Sequence, residues 1–198
     1  MAAFSSKKDI GQRAERGALR VAGSIFGLIL ETIKVVLISM AIILPIRYFL
    51  IQPFYVEGAS MEPTFNSNEY LLVDEITFRF QGPKRGEVVV FRYPRDPRQF
   101  FIKRVIGLPG ETISIQAGKI LINGQELDEV YLDELRVGDS NIEPLVIPAD
   151  HYFLMGDNRA NSLDSRIFGS VEKKFVIGRV WLRGWPLDKF SFFVTPKY

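Results

Sequence analysis

Cysteine is absent from the 198 residues, so disulfides, thiolate metal sites and a cysteine nucleophile are excluded. Histidine occurs once, as His151. A metal site with two histidine ligands therefore cannot be built, and a serine–histidine pair would have to use that one ring. Excess charge is also missing: 25 Lys plus Arg against 23 Asp plus Glu leave a formal net charge of +2. A nucleic-acid-binding domain is normally far more basic, so no nucleic-acid partner is expected. Internal repeats and low-complexity tracts are absent as well. The length is sufficient for one domain with a sizeable core, or a small domain and an appendage.

The chain opens on a basic, polar stretch and then becomes apolar. From Ile25 to Ile51 it reads IFGLILETIKVVLISMAIILPIRYFLI. Its uncharged part, Val35 to Ile46, is shorter than the roughly 20 apolar residues a membrane span needs. Lys34 and Arg47 near the ends have stems long enough to carry their charges to an interface. We therefore expect a single-pass anchor over 33–51, a basic cytoplasmic segment over 1–32, and the bilayer as a partner. A buried or amphipathic helix and a cleaved signal peptide are the alternatives. The latter lacks a small-x-small cleavage site in LIQPFYVEG. Basic residues before the span place the N-terminus in the cytoplasm and the rest outside.

From residue 52 the period changes. Short β-branched and aromatic runs such as GEVVVFRYP, FFIKRVIG and FVIGRVWLRGW alternate with Gly, Pro and Asn turns. Asn123-Gly124 between apolar residues is a strong hairpin signal. The expectation is a mainly antiparallel β domain over 52–198, with a small inserted β-subdomain at about 113–148.

Three stretches carry candidate chemistry: GASMEPT (58–64), FIKRVIGLPGE (101–111) and GDNRANSLDSR (156–166). A serine such as Ser60 in a turn is usually structural, and it is a poor nucleophile without a base. His151 is one candidate base; Lys103 is the other. Strand alternation puts Lys103 on one face with Phe101 and Val105, and Arg104 with Ile102 on the other. A solvated lysine has a pKa near 10.4, so about 0.04% of it is neutral at pH 7. Service as a base needs a pKa of about 7–8, at a cost of about 4 kcal/mol to the cation. Desolvation by an apolar face is the available means. The polar 156–166 loop lacks the spacing of a calcium loop.

In this order, the helix, QPFYVEGASMEPT, RGEVVVFRYP, FIKRVIGLPGE and GDNRANSLDSRIFGSV resemble the type I signal peptidase family. The resemblance runs from Ile33 to about Trp185 and is weakest over 113–146. It implies an antiparallel β-fold with a smaller inserted domain, and a membrane-bound serine endopeptidase that removes signal peptides from exported preproteins by cutting after small residues. Ser60 would be the nucleophile and Lys103 the general base, through an acyl-enzyme. Ser162 would orient the lysine, and Asp164 and Arg166 would support the loop. The Ser60 backbone N–H would be one oxyanion donor; Gly58, with no hydroxyl, leaves the second open. Ala160 stands where the family often has aspartate. No metal or organic cofactor is implied. We expect a monomer in the plasma or inner membrane, with a thylakoid membrane as the lesser alternative. Met61 reads as packing, and Trp181, Trp185, Phe190, Phe192 and Phe193 read either as core or as a membrane-facing surface. A soluble self-cleaving Ser-Lys repressor and a tethered, non-catalytic β module are the competing readings.

Overall fold

The computed structural model describes residues 24–44, 51–132 and 140–196. Two units partition the chain, 1–47 and 48–198. The first contains helix α1 (Ser24–Leu44), 21 residues with a mean hydropathy of 2.2 and no buried side chains. At 1.5 Å per residue it is about 30 Å long, the thickness of a bilayer's hydrocarbon core. The described helix already covers the nine residues before the expected span and takes in Glu31 and Lys34, whose spacing of three puts them on one face. Residues 1–23 and 45–50 of the expected basic segment and span lie outside the described residues, and Ile51 already belongs to a strand.

The second unit is antiparallel throughout its described pairings. In chain order its strands are β1 (Ile51–Tyr55), β2 (Tyr70–Asp74), β3 (Val88–Tyr93), β4 (Asp96–Gly107), β5 (Thr112–Gln116), β6 (Lys119–Ile122), β7 (Gln125–Glu126), β8 (Ile142–Val146), β9 (His151–Met155), β10 (Val171–Glu172), β11 (Val176–Trp185) and β12 (Ser191–Phe192). Short helices α2 (Thr77–Phe80) and α3 (Ser165–Phe168) lie between them. The main sheet runs β1-β2-β11-β3-β4-β9-β10, with β12 on β11; a second sheet runs β7-β6-β5-β8. The β6–β7 turn is made by Asn123 and Gly124, both at positive φ (51° and 82°), as a two-residue type I′ hairpin requires.

Burial explains the apolar runs. β3 is covered on both faces: Val88 and Val90 pack with Met61, Phe65 and Leu71, while Val89 and Phe91 pack with Val105, Tyr152 and Leu154. That is why VVVF reads as continuous rather than alternating. Each such side chain contributes about 1.5–3 kcal/mol on burial. A third cluster, with Ile106, Ile113, Ile115, Ile120, Ile147 and Phe153, joins the second sheet to β4 and β9. Gly107 permits this approach, because a Cβ there would lie 2.2 Å from Ile147 Cδ1.

Candidate active site

The chain leaves β1 through Val56, whose buried side chain and N–H to the Glu69 carbonyl (2.9 Å) hold it down. A turn follows, closed by Glu62 N–H to Ala59 O (3.2 Å) and Phe65 N–H to Met61 O (2.9 Å). Met61 and Phe65 are core residues, so they pin the turn from below and leave Ser60 half-buried at its head. Gly58 has φ +99° with open space around a would-be Cβ, so glycine is there for backbone conformation rather than room. Its N–H donates to Ser67 Oγ (3.2 Å).

Lys103 sits in β4 opposite Val89 of β3 and is only 4% exposed. Its Nζ is 2.7 Å from Ser60 Oγ, donates to Ile102 O at 2.8 Å, and lies 5.4 Å from the centre of the Phe101 ring. Desolvation pulls the lysine pKa down to about 8, against the opposing pull of Asp164 and Asp157. At pH 7 about 9% of it is then neutral, roughly 200 times the solvated fraction.

The 156–166 loop closes the site. Asn158 donates from its N–H to Ser60 O (3.0 Å) and from Nδ2 to Ala59 O (3.1 Å), which clamps the Ser60 turn. Asp157 accepts both branches of the buried Arg104 guanidinium, Nε at 2.8 Å and Nη2 at 2.6 Å, and also the Thr64 hydroxyl at 2.6 Å. Asp164 takes Arg166 in the same bidentate way (2.9 and 2.8 Å) and accepts the Gly156 N–H at 3.0 Å. Burial raises the Asp164 pKa, but Arg166 and the Gly156 N–H outweigh it and hold the carboxylate below its ordinary value. Ser162 lies over Gly156, where a Cβ would meet Ser162 Oγ at 2.2 Å and Ser60 O at 2.5 Å. The Ser162 hydroxyl is near enough to Asp164 to help lower its pKa, yet outside hydrogen-bond geometry. It is buried without a hydrogen-bond partner among the described residues, and the fold does not bond it to Lys103. His151 points its Nδ1 at the Ala149 carbonyl (2.9 Å) and makes no hydrogen bond to Ser60.

Ser60 and Lys103 thus meet, and Asp164 meets Arg166. Nothing in the sequence alone pairs Arg104 with Asp157, or assigns Asn158 to the nucleophile turn. The one available signal is an arginine inside the apolar strand FIKRVI, which must find a buried anion. Beside the pair is a cleft of about 640 Å³ walled by Phe54, Leu71, Val90, Phe101 and Ile102. Residues 96–103 of β4 are paired to β3 on one side only, since the β9 ladder begins at Arg104–Met155.

A partly buried serine bonded to a buried, easily neutralised lysine is the equipment of serine acyl transfer. The family described as signal peptidase, peptidase S26, matches residues 29–185. The chain belongs to this family. Its members are serine endopeptidases. Signal peptidase I of Leptolyngbya laminosa is 39% identical over 170 residues, covering 82% of this chain and 83% of the relative. Signal peptidase I P of Bacillus subtilis subsp. natto is 37% identical, covering 81% and 91%. A solved signal peptidase I from Enterococcus faecalis shares 32% identity over 50% of this chain and 97% of its own, at a TM-score of 0.45.

Proposed function

We propose that Ser60 and Lys103 are the catalytic dyad of this signal peptidase, and that it removes signal peptides from preproteins. The observation that carries the assignment is the 2.7 Å approach of Ser60 Oγ to a lysine whose burial favours the neutral amine. Neutral Nζ accepts the Ser60 proton as Oγ attacks the scissile carbonyl. The oxyanion is met by the Ser60 N–H, which has no acceptor among the described residues. Gly58 N–H is a second donor only if it leaves Ser67. Lys103 then protonates the departing amine, and the acyl-enzyme is hydrolysed by water activated at the same Nζ. Ser162 is assigned the orienting role because its buried hydroxyl lacks a partner and its neighbours Asn161 and Leu163 line the cleft with Lys103. Asp164 and Arg166 support that loop.

The unpaired edge of β4 suits an extended peptide adding a strand, with backbone hydrogen bonds supplying affinity and the apolar walls supplying selection for small side chains. We assign α1 as a single membrane anchor with a cytoplasmic N-terminus, the β unit outside, in a plasma or inner membrane, and the protein as a monomer. Trp181, Trp185, Phe190 and Phe192 are 40–58% exposed, which supports a bilayer-facing surface, whereas Phe193 packs on Phe65. A shift of Trp fluorescence on adding anionic liposomes is the expected sign of that surface; an unchanged spectrum removes it. For the dyad, Ser60→Ala and Lys103→Ala each abolish preprotein cleavage while the β-sheet circular dichroism survives. Cleavage retained by either variant overturns the assignment.

A further inference from the structure

The connection after β7 reaches the loop that holds the nucleophile. Leu127, packed against the core of the second sheet, anchors it through its N–H to Ile120 O (2.8 Å), and Leu132 N–H to Glu129 O (3.0 Å) makes a turn of 129–132. From that turn Glu129 forms a two-pronged ion pair with Arg159, 2.8 Å for Nη1 to Oε2, and the second prong joins Nη2 to Oε1. The Arg159 side chain is 3% exposed and that of Glu129 10%. The third group of Arg159, Nε, donates to Gly156 O at 2.9 Å. Two residues on, the Arg104 Cζ lies over the Tyr131 ring at 3.9 Å from its centre, and the Tyr131 hydroxyl donates to Glu129.

Both arginines belong to the site's frame. Arg104 is the residue after Lys103 and carries Asp157; Arg159 holds the carbonyl of Gly156, against which Ser162 and the Ser60 carbonyl both pack. A buried guanidinium keeps its geometry only while an anion or a stacked ring fixes it. We propose that Glu129 and Tyr131, in the connection of the second sheet, are positioning residues that hold Arg159 and Arg104 and through them the 156–162 loop against Ser60. The second sheet is therefore part of the catalytic frame. This inference rests on the reading of Ser60 and Lys103 as the dyad.

The test is preprotein cleavage by the full chain in detergent, at a temperature well below the melting point of each variant, with kcat and KM separated. Glu129→Gln is expected to lower kcat about 10- to 100-fold with KM changed less than about threefold, because misplacement by about 1 Å can cost a hundredfold. Glu129→Gln combined with Arg159→Gln should be no slower than the slower single variant. Tyr131→Phe keeps the ring on Arg104 and should retain at least ten times the kcat of Tyr131→Leu. An effect confined to melting temperature, a loss carried by KM alone, or additive losses in the pair overturn the proposal. If Glu129→Gln fails to fold, the Tyr131 pair decides: equal kcat in its two variants overturns it. Ser60→Ala run in parallel separates the two readings, since cleavage retained there sinks the dyad, whereas wild-type kcat in Glu129→Gln sinks only the positioning role.

Discussion

Burying Lys103, the proposed base, costs stability, and Lys103→Met measures by how much. Burial lowers its pKa from 10.5 to about 8, a gap of 2.5 that corresponds to about 3 kcal/mol at 1.36 kcal/mol per pH unit. Below pH 8 the lysine is charged in both folded and unfolded chains, so the folded state bears the whole cost of desolvating the cation. Between pH 8 and 10.5 the folded lysine is neutral while the unfolded one still binds a proton. Stability therefore rises with pH across that window, and the cost is gone above it. Methionine fills similar space without charge. It forfeits the bonds to Ser60 Oγ and Ile102 O, worth about 1 kcal/mol each, leaving a gain of about 1 kcal/mol at pH 7. For a unit of this size that raises the melting temperature by about 2–4 °C. Calorimetry of the detergent-solubilised full chain at pH 7 and pH 10 reads it directly: the inactive variant should melt higher at pH 7, and the gap should shrink at pH 10. A variant that melts at or below the wild type at pH 7, or a gap that stays constant with pH, refutes the desolvation argument.

The same pKa sets the activity profile: kcat/KM should climb about tenfold per pH unit on the acid side and level off above about pH 8, and full activity at pH 5 would contradict a lysine base. Gly156→Ala puts a Cβ 2.2 Å from Ser162 Oγ and 2.5 Å from Ser60 O, so it should cut kcat by about a hundredfold or more, checked by single-turnover cleavage. Asp157→Asn removes the anion beneath Arg104 and should cost about 3–5 kcal/mol in denaturant unfolding.

Local patterns made several features legible. Short β-branched and aromatic runs bounded by turns show in β3, β4, β5 and β11, and Asn123-Gly124 marks its hairpin because only residues tolerant of positive φ fit there. Alternation places Lys103 with Phe101, and the lysine does lie beside that ring. The helical state of residues 24–32 was less legible: Glu31 and Lys34 look like a boundary in a linear reading, yet one helical face accommodates both. Beyond the local Asp164–Arg166 pair, the ion pairs were not legible. Arg104 and Asp157 are 53 positions apart, Arg159 and Glu129 30 apart, and charge partners at such range depend on sheet register and loop closure rather than on neighbours in the chain.

By itself, then, the sequence determined the class of chemistry and the parts. With no cysteine and one histidine, the candidate bases for Ser60 reduced to His151 and Lys103, and the apolar neighbours of Lys103 marked the side chain able to lose its charge. Tertiary structure alone decided that His151 faces a carbonyl away from the nucleophile, that Lys103 comes within 2.7 Å of Ser60, and that two buried arginines hold the loop around them. The physical reason is that pKa and hydrogen-bond geometry are properties of a closed, dry environment. That environment exists only once strands remote in sequence have packed together.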